Sequence, residues 1–306
     1  MIYDIIIVGG GPAGMTAALY SRRNGRSVLV IEKNGFGGQI THAPRVENYP
    51  GTQSMSGNDF ADRLMSQILD HGADIEFETV TALKQRGNVF CVETEEGSAH
   101  EGYSVILATG VRHRQLHLEG ENELIGSGIS YCAVCDGDFF SSEDVCVAGG
   151  GNSALQDALL LSQKCRSVTI LQDLPRLTGE QALQDRIQAR ENIHVLTNVR
   201  IESLLQAQNK LTGVEVLENG AQKKITCSGL FVAIGLVPDN KAFDDFAQLN
   251  DWGYFDSGED CTTKTPGLFV AGDCRSKTVR QLTTAVGDGA AASLAACRYL
   301  DTLIRE

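Results

Sequence analysis

Two cysteines separated by two residues are the strongest sign of chemistry in the sequence. They stand in the stretch Cys132-Ala133-Val134-Cys135-Asp136-Gly137. This spacing brings two sulfurs together within one turn of backbone, and one thiolate of such a pair is usually more acidic than that of a free cysteine. Asp136 can exchange a proton with a sulfur during thiol exchange, or it can serve only the turn at Asp136-Gly137. The stretch predicts a redox-active dithiol.

Zinc is the main alternative for this cysteine spacing. A structural zinc ion takes four ligands, and the sequence has no second Cys-x-x-Cys and no His-x-x-His. His113 and His117 are the nearest histidines, and they do not complete a four-ligand zinc motif in the sequence. The odd total of nine cysteines and a reducing compartment argue against a disulfide framework. Isolated cysteines are usually small buried hydrophobes, which is expected for Cys91, Cys146, Cys165, Cys227, Cys261, Cys274 and Cys297.

A glycine-rich strand–loop–helix unit occurs twice. The first copy has a strand over 4–8, the loop Gly9-Gly10-Gly11-Pro12-Ala13-Gly14, a helix to about Arg23 and a strand over 27–32. The second copy has a strand over 144–148, the loop Gly149–Ala154, a helix to about Gln163 and a strand over 167–172. The copies align without a gap, so that Gly149 stands 140 residues after Gly9. Two such motifs in full context indicate two dinucleotide-binding folds.

The glycines of each loop have a physical purpose. The first permits a tight turn, the second lets backbone approach a pyrophosphate, and the third lets the helix pack closely on the strand. The helix N-terminus offers N–H groups and a positive dipole end to phosphates. Glu32 ends the second strand of the first copy, where a carboxylate can accept hydrogen bonds from ribose hydroxyls, whereas neutral Gln172 holds that place in the second copy. Glycines that serve packing alone remain the alternative, chiefly for the second copy.

The remainder of the chain predicts how the two folds are connected. An apolar strand ends at Gly272-Asp273, where a carboxylate can bind the ribityl chain of a flavin, and a helix of small residues follows over about 282–303. The strand ending at Ala108-Thr109-Gly110 and the strand over 230–235 mark where the chain leaves the first domain and returns. We therefore predict an α/β protein with two Rossmann-like dinucleotide-binding domains of the three-layer ββα type, the second inserted in the first. The expected division is a discontinuous FAD-binding domain of residues 1–112 and 241–306, and an inserted pyridine-nucleotide-type domain of residues 113–240 that carries the Cys-x-x-Cys.

Composition narrows the function classes. With a net charge of −13 and no basic run, the surface should repel nucleic acid and anionic lipid. No apolar run is long enough to span a membrane, and the first strand begins directly after the N-terminus, without a signal peptide. We expect a cytoplasmic protein with neither a nucleic-acid nor a membrane partner.

Taken together, these motifs resemble those of the low-molecular-weight thioredoxin reductases over essentially the whole chain. Cys-Ala-x-Cys-Asp-Gly inside an inserted domain is highly specific for that family, because related flavoproteins that reduce ferredoxin or NADP generally lack it. The motifs that carry the resemblance are Gly9–Gly14, Gly37-Gly38-Gln39, Val46-Glu47-Asn48-Tyr49-Pro50-Gly51, Ala108-Thr109-Gly110, Cys132–Gly137, Gly149–Ala154, Gly229–Gly235, Gly272-Asp273 and Arg280-Gln281.

The resemblance implies a flavoprotein thioredoxin-disulfide reductase, an oxidoreductase acting on a sulfur group. Cys135 would face the flavin, Cys132 would attack the thioredoxin disulfide, and Asp136 would protonate the leaving thiolate. The family also implies a homodimer and a rotation of the inserted domain that presents the dithiol to flavin and thioredoxin in turn. The resemblance implies that FAD lies between the two parts of the first domain, with these cofactor-binding residues: Gly9, Gly11, Pro12, Ala13, Gly14, Glu32, Lys33, Gly38, Gln39, Asn48, Ala108, Thr109, Gly110, Gly272, Asp273, Arg280 and Gln281.

The second dinucleotide site departs from the family. Members that use NADPH carry His-Arg-Arg-x-x-x-Arg after the second strand of the inserted domain, and its arginines hold the 2′-phosphate. Here Gln172, Asp173, Leu174 and Thr178 replace the four residues of that motif. Asp173 would oppose a dianionic phosphate, because like charges at close range in a partly desolvated site repel strongly. These residues therefore disfavour NADPH. For NADH, neutral Gln172 stands where a carboxylate would accept hydrogen bonds from the ribose hydroxyls.

Three hypotheses follow for the source of electrons and for turnover. Some thioredoxin reductases that lack the NADPH motif take electrons from reduced ferredoxin, and we favour this donor. Because ferredoxins are acidic, docking requires a local basic patch, for which Arg22, Arg23, Arg26 and Lys33, or Arg112 and Arg114, are candidates. The second hypothesis keeps the enzyme with NADPH or NADH. The third is a flavin-bound redox sensor without turnover, and the acid Asp136 after the dithiol argues against it.

Overall fold

The computed structural model describes residues 1–43, 46, 48–218 and 220–303. Glu47, which belongs to one of the family motifs, lies outside these residues. The chain forms two compact units. The first unit contains residues 1–41, 46–112 and 237 onward, and the second unit contains residues 42–45 and 113–236. The return to the first unit thus falls at Val237, four positions before 241, inside a short strand over Leu236–Pro238.

The chain alternates strands and helices through both units. In chain order the strands are β1 Ile2–Val8, β2 Val28–Ile31, β3 Asp74–Glu76, β4 Val80–Arg86, β5 Val89–Thr94, β6 Ala99–Leu107, β7 Val111–His113, β8 Ile129–Ser130, β9 Asp144–Ala148, β10 Ser167–Gln172, β11 Ile193–Thr197, β12 Val199–Ala207, β13 Lys210–Glu218, β14 Ala221–Thr226, β15 Gly229–Val232, β16 Leu236–Pro238 and β17 Leu268–Val270. The α-helices are α1 Pro12–Arg23, α2 Gly57–Asp70, α3 Glu121–Leu124, α4 Ala133–Asp136, α5 Asn152–Leu161, α6 Gln181–Gln188 and α7 Leu282–Leu303.

The first unit is built on a mixed sheet in the order β3-β2-β1-β6-β5-β4, with β17 also pairing with β6. Strands β1, β2, β3, β6 and β17 pair in parallel, whereas β4, β5 and β6 pair antiparallel. Strands β2 and β17 and the second halves of β1 and β6 are buried apolar runs, because both faces of this part of the sheet are covered. Their carboxyl ends therefore meet at one edge, where ligands of such folds bind.

Alternation along β1 sends side chains to the two faces of this sheet. Ile5 and Ile7 are buried in a cluster with small residues of α1 and α7, and Ile6 and Val8 are buried in a second cluster on the other face. Helices α1 and α7 pack very closely. A Cβ atom on Gly289 of α7 would lie only 2.2 Å from the carbonyl oxygen of Ala13 in α1. This close packing explains the run of small residues at 285–296.

The second unit repeats this architecture. Its parallel sheet has the order β11-β10-β9-β15-β8, with α5 and α6 packed on one face. The antiparallel sheet β12-β13-β14 supplies side chains to the core on the other face. The α/β fold class predicted from the sequence, with two Rossmann-like folds, is confirmed. The predicted strand over 230–235 is shorter, because β15 ends at Val232 and Gly235 adopts a positive φ of 113°.

Most isolated cysteines are buried, as their apolar surroundings predict. Cys91 is partly exposed, and the other six are buried. Cys146 and Cys227 lie in one apolar cluster and share a hydrogen bond, which together with burial raises the pKa of Cys146 well above its usual value. No helix in the described part of the chain is long and apolar enough to cross a membrane.

A buried group of charges joins α7 to the end of β17. The Asp288 carboxylate accepts two hydrogen bonds from the Arg275 guanidinium, at 2.8 and 2.7 Å, one from Lys277 Nζ at 3.1 Å and one from the Gly272 amide at 3.0 Å. Burial works against ionisation, but the bonds from Arg275 and Lys277 outweigh it and lower the pKa of Asp288. The carboxylate therefore holds two buried cations and the loop after β17.

We expect the substitution Asp288→Ala to lower the free energy of unfolding by about 3 kcal/mol, because it leaves buried cations unpaired. Urea unfolding at a fixed flavin concentration measures this change. Asp301→Ala is the matched control, since Asp301 pairs with Arg26 at the surface and should cost less than about 1 kcal/mol. Equal effects of the two substitutions would contradict a structural role for the buried group.

Candidate active site

The two cysteines of the predicted dithiol form a disulfide in the second unit. Cys132 precedes α4 and Cys135 lies inside it, with their Cα atoms 5.3 Å apart. Both side chains are partly exposed, and Ala133 between them is buried against α5. The Cys135 amide donates a hydrogen bond to Cys132 Sγ at 3.2 Å. A disulfide at the surface on a short, anchored helix can be reached by another thiol.

Asp136 ends α4, directly after Cys135, and is partly buried. Its Oδ2 accepts a hydrogen bond of 2.7 Å from Ser130 Oγ, and its Oδ1 is buried without a hydrogen-bond partner among the described residues. Burial raises the pKa of Asp136, and the Ser130 hydroxyl opposes that rise only in part. The raised pKa favours the protonated form of this carboxyl, which is the form that donates a proton in thiol exchange.

The segment before the cysteines is held by a second buried acid, Glu121. Its carboxylate accepts the Leu116 and His117 amides at 2.9 and 2.8 Å and the Tyr131 hydroxyl at 2.8 Å. Burial, and then the bond to Glu121, raise the pKa of Tyr131. The His113 ring lies against the Tyr131 ring at 4.9 Å between centroids. Among the described residues, no group of three or more His, Cys, Asp or Glu side chains is arranged to hold a metal ion.

The first glycine loop has the shape of a dinucleotide cradle. Gly9 adopts a φ of 111°, and a Cβ atom there would lie 2.3 Å from the Ala108 carbonyl oxygen. A Cβ atom on Gly14 would lie 1.9 Å from the Gly9 carbonyl oxygen, so α1 packs directly on the loop. By contrast, a Cβ atom on Gly11 would meet nothing within 4 Å. The space above Gly11 is the space that a pyrophosphate needs.

The surroundings of this loop also suit a dinucleotide. Helix α1 begins without a side-chain cap, so its first amides are free for phosphate. Glu32 accepts the amides of Gly10 at 2.7 Å and Asn34 at 3.0 Å, which fixes its carboxylate at the end of β2. A carboxylate accepts up to about four hydrogen bonds, so capacity remains for ribose hydroxyls.

Asp273 follows β17 at the same edge of the sheet. Its Oδ1 is buried and faces Lys277 Nζ at 3.1 Å, without a well-aligned hydrogen bond among the described residues. Burial raises the pKa of Asp273, opposed by the charges of Lys277 and Arg280. A buried carboxylate short of donors fits the hydroxyls of a ribityl chain. The residues present in the first unit thus fit FAD.

The other predicted flavin-site residues also lie in the first unit. Gln39 donates to the Val111 carbonyl at 3.0 Å, and Asn48 donates to Gln281 Oε1 at 3.3 Å. Arg280 lies 4.1 Å over the Tyr254 ring and donates to the Asp273 carbonyl at 3.2 Å. Four further predicted residues have other surroundings. Thr109 donates a hydrogen bond to Asn240, and Lys33 lies 3.8 Å from Asp239. Gly38 is exposed, and Gly110 turns the chain with a φ of 67°.

The second glycine loop differs in what surrounds it. Gln172 is buried, and a Cβ atom on Gly150 would lie 2.6 Å from its amide carbon. Its Nε2 donates to the Arg176 carbonyl at 3.3 Å, so the amide ties down the loop after β10. Asp173 and Thr178 are exposed, and Leu174 is 46% exposed. Asp173, Leu174 and Thr178 carry no positive charge, and the cation within this loop is the exposed Arg176.

Two residues at these sites were not predicted from the sequence. Ser130 touches Asp136 and Cys132, yet a serine two residues before a cysteine is unremarkable. Lys277 touches Asp273 and Asp288, and only its place between Asp273 and Arg280 could have suggested it. Both became visible only when the fold brought their partners together.

The chain matches proteins of known class over almost its whole length. The family model described as pyridine nucleotide-disulphide oxidoreductase matches residues 3–289. A thioredoxin reductase from Listeria monocytogenes is 39% identical over 304 residues, which are 99% of this chain and 95% of that protein. A Clostridium pasteurianum protein named 34.2 kDa protein in rubredoxin operon is 36% identical, with 97% of each chain covered. The crystal structure of thioredoxin reductase from Streptococcus pyogenes is 35% identical with a TM-score of 0.92, covering 98% of this chain and 99% of that one.

The fold and the matches define the class of protein as a flavoprotein disulfide oxidoreductase of the pyridine nucleotide-disulphide oxidoreductase type. Within that class, the chain belongs to the family of low-molecular-weight thioredoxin reductases. The resemblance predicted from the motifs is confirmed.

Proposed function

We propose that this protein reduces the disulfide of thioredoxin through Cys132 and Cys135. The observation that carries the proposal is a partly exposed disulfide followed directly by an acid, Asp136, whose Oδ1 is buried without a hydrogen-bond partner among the described residues. The relatives named thioredoxin reductase support thioredoxin as the partner. A redox sensor without turnover has no need of an acid at that position, so the enzyme is the better account.

The residues of the first unit would hold FAD. The glycine loop and the first amides of α1 would bind its pyrophosphate, Glu32 its adenosine ribose and Asp273 its ribityl chain. FAD, when bound, supplies a centre that accepts electrons and passes two of them to a disulfide. We assign the flavin-side sulfur to Cys135 and the partner-side sulfur to Cys132, as the family resemblance implies.

Thiol–disulfide exchange with thioredoxin proceeds in two steps. The Cys132 thiolate attacks one sulfur of the thioredoxin disulfide, so that a bond from Cys132 to that sulfur forms while the disulfide breaks. The other thioredoxin sulfur leaves with the electron pair of the broken bond and takes a proton from Asp136. Cys135 Sγ then attacks Cys132 Sγ and loses its proton, while the bond from Cys132 to the thioredoxin sulfur breaks. That sulfur leaves with the electron pair and takes up the proton, which restores the observed disulfide and releases reduced thioredoxin.

We also propose that the electron donor is reduced ferredoxin rather than NADPH. The support is the second glycine loop, where Asp173, Leu174 and Thr178 stand in place of phosphate-binding arginines. NADH is disfavoured because the buried Gln172 amide is engaged with the backbone of its own loop.

The candidate basic patches are only partly available for an acidic partner. Arg26 pairs with Asp301, and both Lys33 and Arg112 approach Asp239, at 3.8 and 2.5 Å. Arg23 is exposed and forms no ion pair with another described residue, which makes its helix end the better candidate. We further propose a homodimer, as the family resemblance implies.

An anaerobic titration separates the donors. The purified flavoprotein is mixed with reduced ferredoxin, NADPH or NADH, and bleaching of the flavin absorbance is followed with and without thioredoxin. We expect ferredoxin to bleach the flavin and thioredoxin to restore its colour. Prompt bleaching by NADPH would overturn the proposed donor, and bleaching without thioredoxin reduction would favour the sensor.

Restoring the missing cations should create NADPH use. In the variant Asp173→Arg, Leu174→Arg, Thr178→Arg, we expect NADPH to bleach the flavin at least about tenfold faster than in the parent, since charge-assisted bonds to a phosphate contribute about 1.5–3 kcal/mol each. The uncharged variant Asp173→Asn, Leu174→Gln, Thr178→Gln controls for removal of the acid. No gain in the arginine variant would show that another part of the loop excludes the nucleotide.

A further inference from the structure

Ser130 connects the candidate acid to the candidate nucleophile. It is the last residue of β8, which pairs with β15, and its side chain is buried. Ser130 Oγ lies 2.7 Å from Asp136 Oδ2 and accepts the Cys132 amide at 3.0 Å. One hydroxyl thus touches the acid and the backbone of the sulfur-bearing residue.

The direction of these hydrogen bonds follows from the atoms. The Cys132 amide can only donate, so the Ser130 oxygen accepts there and its single proton must go elsewhere. Two acceptors lie in reach, Asp136 Oδ2 at 2.7 Å and the Cys132 carbonyl oxygen at 3.4 Å. The bond to Asp136 Oδ2 is shorter and therefore the stronger one. Ser130 therefore donates to Oδ2.

Asp136 also lines a small cavity. Gly126, Ile129, Ser130, Phe139 and Phe140, together with Asp136, line a cavity of about 50 Å³ with mostly apolar walls. Oδ1 is buried without a hydrogen-bond partner among the described residues. Because Oδ2 is occupied as an acceptor, Oδ1 is the oxygen left to carry a proton.

We propose that Ser130 is a positioning residue for proton transfer at the dithiol, which holds Asp136 by Oδ2 so that Oδ1 delivers the proton. This inference rests on the proposed role of Asp136 as the acid. As Asp136 gives its proton to the departing thioredoxin sulfur, it becomes a carboxylate in a poorly solvated place. The Ser130 hydroxyl stabilises that carboxylate. The hydrogen bond that it accepts from the Cys132 amide holds Asp136 and Cys132 in fixed relative positions.

The sign of the expected effect follows from this geometry. Ser130 stabilises the ionised form of Asp136, so removing its hydroxyl favours the protonated form. The alkaline limb of the pH–rate profile, where Asp136 loses its proton, should therefore move to higher pH. The rate on the plateau should fall about three- to tenfold, because the carboxylate formed in the transition state loses its donor.

Single-turnover kinetics test the inference independently of the natural donor. Each holoenzyme is photoreduced stoichiometrically and mixed with oxidised thioredoxin at pH values from about 6 to about 10. This range covers about four units around the expected alkaline limb of the pH–rate profile. We expect Ser130→Ala and the smaller Ser130→Gly to shift the alkaline limb upward by about half a unit or more, and Ser130→Thr to restore the parent profile. Ser141→Ala is the control, since Ser141 bonds only the Asp138 carbonyl nearby and should change nothing.

The outcomes separate the two proposals. If Asp136→Asn leaves the alkaline limb in place, the proposed acid is wrong, and the inference about Ser130 falls with it. If Asp136→Asn removes the limb but both Ser130→Ala and Ser130→Gly slow the reaction without moving it, Ser130 has only a structural role and the inference alone is overturned. If the Ser130 variants move the limb and Ser130→Thr restores it, the inference is supported.

Discussion

The substitution Cys135→Ser is expected to reduce steady-state turnover with thioredoxin at least about 1000-fold while leaving the bound flavin unchanged. Cys132 can still attack a partner disulfide, but no second thiol remains to resolve the mixed disulfide. The flavin stays because the residues that fit FAD all lie in the first unit, whereas both cysteines lie in the second. Turnover is measured as thioredoxin thiol formation, and flavin content by absorbance.

A second cysteine substitution controls for this result. Cys91 lies on β5, is partly exposed and forms no disulfide. We expect Cys91→Ser to retain activity within about twofold, as is usual for surface substitutions away from functional groups. Turnover by Cys135→Ser near that of Cys91→Ser would refute the dithiol.

The substitution Gly11→Val is expected to weaken FAD binding at least about 100-fold, or about 2.7 kcal/mol. The backbone at Gly11, with φ −76° and ψ −179°, accepts any L-residue, and a Cβ atom there meets no protein atom within 4 Å. The fold should therefore tolerate the change, while the new side chain fills the space that the pyrophosphate needs. Fluorescence titration of the apoprotein with FAD measures the affinity, and circular dichroism reports on the fold.

The internal repeat supplies a matched control for Gly11. Gly151 has almost the same backbone conformation, with φ −84° and ψ −179°, and its nearest neighbour is Thr178 Oγ1 at 3.8 Å from a Cβ atom. We expect Gly151→Val to leave FAD affinity unchanged. If Gly151→Val weakened FAD binding as much as Gly11→Val, the first loop could not be the flavin site.

The sequence was informative wherever structure depends on near neighbours along the chain. The glycine loops, the strands around them and the helix over Leu282–Leu303 lie where the residue pattern predicts, because turn glycines and buried strands are local requirements. Strand β1 is longer than predicted, since Ile2 and Tyr3 pair with Glu101 and Gly102 of β6. That extension depends on a partner about a hundred residues away, which no local pattern reveals.

The parts of the sites that escaped prediction are contacts between distant segments. Asp288 lies in the middle of α7, and only the fold places it against Arg275 and Lys277. Cys146 and Cys227 look isolated in sequence, yet they share a hydrogen bond in the core. The burial of Asp136 Oδ1 depends on how β8 and α4 pack, and residue types alone do not predict such burial.

Trapping of a mixed disulfide is the most direct test of the central claim that the dithiol acts on thioredoxin. A thioredoxin that keeps only its attacking cysteine, activated as an aromatic disulfide, is mixed with the reduced variants Cys135→Ser and Cys132→Ser. We predict a covalent adduct at Cys132 with Cys135→Ser, identified by peptide mass, and at least about tenfold less adduct with Cys132→Ser. Equal adduct with both variants, or an adduct at another cysteine, would contradict the account.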